Sequence, residues 1–340
     1  MSFEIINLKP NEVLQRSLTL VRGRYIGNDC IDTVLVLNLS DGCDRSAVVW
    51  PVVRGVFKMF VSLVPGINII HFSHGDISQD LVLRYEQPPL SFGKYVRLVY
   101  VVCQDDPDKG CFQGPPEEDC SIESALKRIA LGARILQAVF AETLSAAGFE
   151  SKSFRLEHRS SLNTPVVHIF RTKLVAAEAC SMTAEDLWTH LAMELMDSDL
   201  RDSGNCKFLA FVSWTRYRTD VEPTSQSEVL SHTSGHVMIG AGGLALCGTG
   251  CLYTWSPDVQ ELPRRLGDDS KVDRLKYMDV SNYRGTLSAC YSSSLGGVLH
   301  ELGHIFDLVH VDKGIMGHGF HDLSLLYTVS DNEHIVSSFL

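Results

Sequence analysis

From residue 18 to residue 86 the chain consists of short runs, several of which alternate apolar and polar residues, and turn-forming residues separate the runs. The runs lie at 18–27, 32–39, 48–53, 55–64, 68–74 and 81–86. β-Branched and aromatic residues dominate them, which is typical of half-buried antiparallel strands. Because the turns recur at the spacing of a small sandwich, residues 1–90 are predicted to form an all-β, immunoglobulin-like module. Two prolines and a glycine then predict a linker, with a boundary near Pro88.

Beyond residue 90 the apolar spacing changes to one that predicts helices between strands. The predicted elements are strands at 96–102, 166–172 and 207–217, a helix at 122–144 and a second helix between the last two strands. Ser121 can cap the first helix, and Gly148 stands where it would stop. The pattern from Thr183 to Asp186 marks the start of the second helix. Residues 91–340 are therefore predicted to form an α/β or α+β domain with a partly parallel sheet.

A glycine-rich stretch at 235–250 carries the spacing of a dinucleotide-binding turn at Gly240, Gly242 and Ala245. Such a turn must open a long helix, because the helix amino terminus binds the pyrophosphate. Here the chain runs directly into another glycine cluster. The stretch is therefore predicted to be an edge strand interrupted by glycines, and a nucleotide site is not expected.

Residues 295–322 contain the residues best suited to chemistry. Apolar side chains surround the polar positions, which predicts a helix buried on most sides, with 292–294 available as caps. His300 and His304 lie four residues apart, so they project from one face of that helix and can bind one zinc ion. Glu301 is adjacent, where a general base can act on water without being a metal ligand.

Two residues after the helix strengthen the prediction of a zinc site. His310 follows His304 by six residues, which is the spacing of a third ligand presented after the helix ends. Met316 then lies in a glycine-flanked turn that can pass beneath the site. The alternative is three unrelated histidines, but two buried histidines aligned on an apolar helix are difficult to satisfy without a shared partner.

The segment HELGHIFDLVH followed by GIM resembles the metzincin metallopeptidases, whose signature is HExxHxxGxxH with a later methionine turn. The chain also resembles, more closely, a little-characterised family of zinc peptidases of fungi and animals that places a β-rich module before the protease domain. The residues that match the pattern of that module are Trp50-Pro51-Val52, Gly55-Val56-Phe57-Lys58, Val61, Leu63, Pro65-Gly66 and Asn68. The resemblance extends from about residue 15 to about residue 322. It implies a metzincin-like zinc endopeptidase that acts on a protein or peptide.

One residue departs from the metzincin signature. Asp307 stands where the signature has glycine, which lets the chain turn sharply so that the third histidine can reach the metal. Aspartate is among the few residues that tolerate the left-handed conformation of such a turn. Zinc binding by His300, His304 and His310 is therefore still expected.

The resemblance implies hydrolysis of a peptide bond, with zinc polarising the carbonyl and Glu301 transferring the proton of water to the leaving amine. It also implies that the extended run from Val237 to Leu246, with Gly242, Gly243 and Leu244 as its candidate residues, pairs with the substrate backbone. His318 follows Met316 where some metzincins carry a tyrosine, so it is a candidate for oxyanion stabilisation or a fifth ligand, or else a surface residue. The alternatives are a zinc-binding adaptor that uses the β module for partner binding without turnover, and a zinc amidase or deacetylase.

Composition narrows the range of partners. The 340 residues include 30 Lys and Arg and 41 Asp and Glu, a net charge of -11, and no basic block that could neutralise phosphates. Nucleic acid and anionic membranes are therefore not expected as partners. The sequence shows no secretory signal and no uncharged apolar span, and its ten cysteines are scattered singly. These features predict a cytoplasmic protein with reduced thiols and leave the oligomeric state open.

Overall fold

A computed structural model describes residues 1–28, 30–42, 46–87, 89, 93–158, 164–202 and 204–329. The first part of the chain is an eight-stranded sheet with the order β1-β3-β6-β5-β4-β7-β8-β2. Its strands are β1 (Ser2–Ile5), β2 (Glu12–Leu14), β3 (Leu18–Ile26), β4 (Thr33–Asn38), β5 (Val48–Val53), β6 (Val56–Ser62), β7 (Gly66–His74) and β8 (Ile77–Tyr85). Neighbouring strands are antiparallel, except that β2 runs parallel to β8.

This sheet curls around an aromatic interior. The Phe3 backbone N–H in β1 donates to the Gln79 side chain in β8 at 3.2 Å, so the two ends of the sheet approach each other. Phe57 lies 6.0 Å from Phe3 and 6.4 Å from Phe72 between ring centroids. The predicted strands are confirmed, and β1 and β2 are additional. The immunoglobulin-like arrangement stays a prediction.

The second part of the chain is built on a five-stranded sheet with the order β10-β9-β11-β15-β14. The four strands before β14 in that order are parallel, and β14 is an antiparallel edge strand. Its strands are β9 (Tyr95–Val102), β10 (Val167–Arg171), β11 (Cys206–Val212), β14 (Met238–Ala241) and β15 (Leu244–Gly248). A separate two-stranded sheet consists of β12 (Arg216–Tyr217) and β13 (Thr233–Ser234). The helices are α1 (Ile122–Ala146), α2 (Ala176–Ser181), α3 (Ala184–Met196), α4 (Gln226–Ser231), α5 (Leu262–Leu266) and α6 (Leu287–Ile305), with 3-10 helices at Leu252–Thr254 and His318–Leu326.

Helices cover both faces of this sheet, which confirms the predicted partly parallel α/β arrangement. Apolar residues of α1 and α6 pack on one face, and those of α2 and α3 pack on the other. The predicted caps are confirmed, because the hydroxyls of Ser121 and Thr183 accept hydrogen bonds from the third N–H after each. By length and composition alone α1 could cross a membrane, but 72% of its most apolar window is buried inside the protein.

The two parts share one hydrophobic core. Buried residues of the curled sheet belong to the same cluster as those of α1 and α6. The Phe60 ring of β6 lies 5.5 Å from the ring of Tyr327, and Lys58 Nζ donates to the Leu325 carbonyl at 2.8 Å. Arg134 of α1 also donates to the Ser17 carbonyl at 2.9 Å. The change of architecture falls between Tyr85 and Tyr95, and the division into domains at 1–90 and 91–340 stays a prediction.

Candidate metal centre

The helix that carries the first two histidines, α6, begins earlier than the sequence indicates. Its cap is Thr286, whose hydroxyl accepts a hydrogen bond from the Ala289 N–H at 3.2 Å. The predicted caps at 292–294 are wrong, because these serines are buried inside the helix. A hydroxyl of this group bonds to a neighbouring element instead: the Ser294 hydroxyl accepts a hydrogen bond from the Trp255 indole N–H at 2.8 Å.

The three predicted ligands come together as one group. His300 and His304 project from the same face of α6, and His310 reaches them from the segment that follows the helix. Each of the three Nε2–Nε2 distances is 3.1 Å. Three nitrogens that bind one tetrahedral zinc ion at about 2.0–2.1 Å lie roughly 3.3 Å apart. The spacing of the three imidazoles therefore fits a single zinc ion.

The hydrogen bonds of the first two histidines also favour a metal. His300 Nδ1 lies 2.7 Å from the Ile315 carbonyl, and His304 Nδ1 lies 2.9 Å from the Leu308 carbonyl. Because a carbonyl only accepts, the proton of each neutral ring is on Nδ1 and its Nε2 carries a lone pair. The two Nε2 atoms thus cannot hydrogen-bond to each other. A shared cation satisfies both, and this is the usual arrangement around ligating histidines.

The residue that departs from the metzincin signature adopts the conformation that the signature requires. Asp307 has a φ of 65°, in the left-handed region. The turn ends α6, because the Leu308 N–H donates to the Gly303 carbonyl at 3.0 Å. It also places the Leu308 carbonyl against His304 Nδ1. The prediction that aspartate tolerates this turn is therefore confirmed.

The methionine turn packs directly under the helix. Met316 is buried, and a Cβ atom added to Gly303 would lie 2.2 Å from its sulfur. The Met316 carbonyl accepts a hydrogen bond from the Val311 N–H at 3.1 Å, and the preceding Ile315 carbonyl accepts from His300. The turn therefore supports one ligand directly and fixes the segment next to His310.

The predicted base lies beside the ligands in a buried position. Glu301 is 9% exposed. Burial raises the pKa of its carboxyl group, while His304, the Gly240 backbone N–H and His310 act in the opposite direction. Burial also lowers the pKa of His300, which favours the neutral form that binds metal. A carboxylate shielded from water beside three imidazoles can accept and return a proton.

The edge strand next to the site is β14, which lies within the predicted run 237–246, but the candidate residues 242–244 do not form its free edge. Gly242 and Gly243 form the turn between β14 and β15, and Leu244 lies in β15, which is paired on both sides with β11 and β14. Leu244 therefore has no free backbone edge for a substrate. The close approach of Gly240 to α6 was not predicted from the sequence: a Cβ atom added to Gly240 would lie 2.2 Å from the Glu301 carbonyl oxygen. A glycine inside a strand pattern is the signal that could have indicated this close approach.

The remaining predicted positions have other surroundings. His318 is exposed at the start of a 3-10 helix, and the described three-histidine group does not include it, so its role stays a prediction. The glycine-rich stretch forms the β14–β15 hairpin, without the helix that a dinucleotide-binding turn requires.

The sequence profile of a family described as a putative peptidase family matches residues 2–337. The chain belongs to that family. Two relatives are each named a putative zinc metalloproteinase. The protein of Saccharomyces cerevisiae is 24% identical over 350 residues, which covers 94% of this chain and 48% of the relative. The protein of Schizosaccharomyces pombe is 24% identical over 329 residues, which covers 91% of this chain and 51% of the relative. This peptidase-family chain therefore spans about half the length of these relatives.

Two solved structures show a partial similarity to the family member described here. Catalytically inactive OgpA of Akkermansia muciniphila in complex with an O-glycopeptide substrate has a TM-score of 0.43 at 15% identity and covers 68% of this chain and 56% of that chain. Wild-type OgpA has a TM-score of 0.42 at 14% identity, and the match covers 70% of this chain and 62% of that chain.

Proposed function

We propose that the protein is a zinc-dependent endopeptidase of the metzincin type that uses Glu301 as its general base. One observation carries the proposal: three Nε2 atoms 3.1 Å apart face each other while Glu301 follows one of them on the same helix. A purely structural zinc site has four protein ligands and no need of a buried carboxylate beside them. Within the described residues, the group that could hold a metal consists of three histidines.

His300, His304 and His310 would hold the zinc ion. Zinc, when bound, supplies Lewis acidity that polarises a carbonyl and lowers the pKa of water. Glu301 accepts the proton of the attacking water and returns it to the nitrogen of the leaving amine as the peptide bond breaks. The carboxylate begins and ends the cycle unprotonated, because the proton it accepts is the one it delivers.

The substrate is proposed to be an extended peptide that pairs with the free edge of β14. The Gly248 N–H donates to the Val237 carbonyl at 2.7 Å, so these two residues form a hydrogen-bonded pair. Along an antiparallel hairpin, hydrogen-bonded and non-hydrogen-bonded pairs alternate. In that register the backbone groups of Met238 and Gly240 point away from β15. The backbone groups of Met238 and the carbonyl of Gly240 are available to an added strand, while the Gly240 N–H faces the Glu301 carboxylate.

The cellular location of the enzyme and the architecture of its first part are also proposals. The nine cysteines that the structure describes are free, and several are buried. Reduced, buried thiols are typical of proteins in a reducing compartment. We therefore propose a cytoplasmic location, with the β-rich first part as an immunoglobulin-like module.

Cleavage of a proteome-derived peptide library by wild type and Glu301→Gln tests the proposal. Wild type should contain zinc and cleave peptides, while Glu301→Gln should keep zinc and lose about two to four orders of magnitude of activity, as expected for loss of a general base. The exposed Glu150→Gln, 76% exposed at its side chain, serves as the matched control and should match wild type. If wild type binds zinc and both it and Glu301→Gln are equally inert, the adaptor alternative is favoured and the proposal fails.

A further inference from the structure

Lys207 is a charged residue at the beginning of a central strand of the mixed sheet. In β11, Leu209 and Phe211 face α1 and α6, while Phe208 and Ala210 face α2 and α3. Side chains alternate along a strand, so Lys207 lies on the same face as Leu209 and points towards α6. The sheet therefore presents a cation to the helix that carries the metal ligands.

The ammonium group of Lys207 joins two elements of the site. It donates hydrogen bonds to the carbonyl of Ile305, at the end of α6, and to the carbonyl of Gly242, in the β14–β15 turn, the latter at 3.2 Å. In the described ranges, no carboxylate forms an ion pair with Lys207. Its partners are therefore the helix end and the turn.

Both carbonyls need a donor for physical reasons. The last carbonyls of a helix have no partner within the helix, and the helix dipole places partial negative charge there. Ile305 directly follows the ligand His304, so a donor at this point orders the end of the helix on which the ligand stands. Gly242 has a φ of 54°, and its carbonyl lies in a turn that leaves the strand ladder.

A second contact brings the edge strand β14 close to α6. Gly240 lies so close to Glu301 that an added Cβ would be 2.2 Å from the Glu301 carbonyl oxygen and 3.0 Å from its Cα. Glu301 and Ile305 are four residues apart, about one turn of the helix. The strand β14 is thus held against α6 at two points, by backbone packing at Gly240 and by Lys207 at the turn.

We propose that Lys207 is a positioning residue that holds β14 at a fixed distance from Glu301, so that a peptide paired with β14 presents its scissile bond to the base. The inference rests on the proposed function. Without the ammonium group, the β14–β15 turn loses its link to the helix end, and the edge strand can move away from α6. Since small displacements of reacting groups slow catalysis strongly, the loss is expected in kcat more than in zinc binding.

The test compares wild type, Lys207→Met, Lys207→Arg and the exposed control Lys152→Met. Methionine keeps the apolar stem and removes the donors, while arginine keeps donors. Four quantities are measured: zinc content, kcat and KM on a peptide cleaved by wild type, and hydrogen exchange of the segment 238–244. For Lys207→Met we expect full zinc content, about a ten- to hundredfold lower kcat and about tenfold faster exchange of that segment. Lys207→Arg should recover most of both losses, and Lys152→Met should match wild type.

Two results would overturn the positioning role. One is a Lys207→Met variant whose segment 238–244 exchanges at the wild-type rate, and the other is faster exchange with kcat within twofold of wild type. If Lys207→Met does not fold, the same comparison is made between wild type and Lys207→Gln. A wild type that cleaves no peptide contradicts the proposed function, and the exchange measurement then decides by itself whether Lys207 holds the strand.

Discussion

At the scale of single residues, the candidate site depends on a few backbone positions as much as on its three histidines. Asp307 occupies a left-handed conformation, and this conformation turns the Leu308 carbonyl back onto His304. That carbonyl fixes the proton of His304 on Nδ1 and leaves Nε2 free. The backbone conformation of Asp307, which does not belong to the three-histidine group, therefore controls how the His304 ring is oriented.

We predict that substitutions of Asp307 affect zinc affinity according to their tolerance of a positive φ. Asp307→Gly should bind zinc as tightly as wild type or tighter, because glycine adopts φ near 65° without strain. Asp307→Val should weaken binding by about 1–2 kcal/mol, since a β-branched residue is disfavoured in this region. Competition with a chromophoric chelator measures both affinities. Equal affinities of the glycine and valine variants would show that the turn does not orient His304.

At the scale of elements, the positions of the glycines in α6 explain how close its neighbours come. A Cβ at Gly303 would collide with the Met316 sulfur, and one at Gly296 would lie 1.8 Å from the Phe320 carbonyl oxygen. A Cβ at Gly297 would instead meet the end of the Met238 side chain at 3.8 Å, an ordinary contact. The helix is thus closely packed against the methionine turn at one position and has space for a methyl group at another.

Alanine substitutions at Gly303 and Gly297 should differ in their effect on stability. Gly303→Ala should lower the free energy of unfolding by about 1–3 kcal/mol, because the buried Met316 side chain must move to admit the methyl group. The matched control Gly297→Ala should be neutral or raise it by up to about 1 kcal/mol, since alanine favours a helix interior. Urea unfolding of the zinc-loaded proteins measures both. Similar stability of the two variants would contradict the close packing at Met316.

The sequence predicted those elements whose pattern is local. The four-residue spacing of His300 and His304 places both on one helix face, and the capping pattern at Thr183 marks a helix start, so both follow from neighbouring residues. The short strands β1 and β2 were missed, because three or four residues carry too little periodicity. The contacts of Gly240 and Lys207 were missed as well, since they arise from residues far apart in the chain.

At the scale of the whole molecule, the curled sheet and the mixed sheet are joined around α1. Arg134 of α1 donates to the hydroxyls of Ser17 and Ser62 and to the Ser17 carbonyl. Nearby, burial and then the charge of Arg134 lower the pKa of His158 to about 4. The imidazole Nδ1 of His158 is buried without a hydrogen-bond partner. The junction of the two parts therefore contains a histidine that resists protonation.

The stability of the protein should fall as the pH falls from about 6.5 towards 4. In this window the unfolded chain protonates His158 while the folded chain does not, because its folded pKa is depressed to about 4. The contribution is on the order of 1–2 kcal/mol, allowing for screening of a partly exposed ring. His158→Gln should flatten the dependence in thermal unfolding measured from pH 7 to pH 4. A variant with the same slope as wild type would assign the acid sensitivity to other groups.

In the proposed site, three histidines and no fourth protein ligand hold one zinc ion beside Glu301. X-ray absorption at the zinc edge tests this directly. We predict one zinc ion per chain, with three imidazole nitrogens at about 2.0–2.1 Å and one further light atom from solvent. His310→Ala should lose one imidazole and bind zinc more weakly. A sulfur ligand at about 2.3 Å, a fourth protein ligand, or an unchanged spectrum for His310→Ala would contradict the claim.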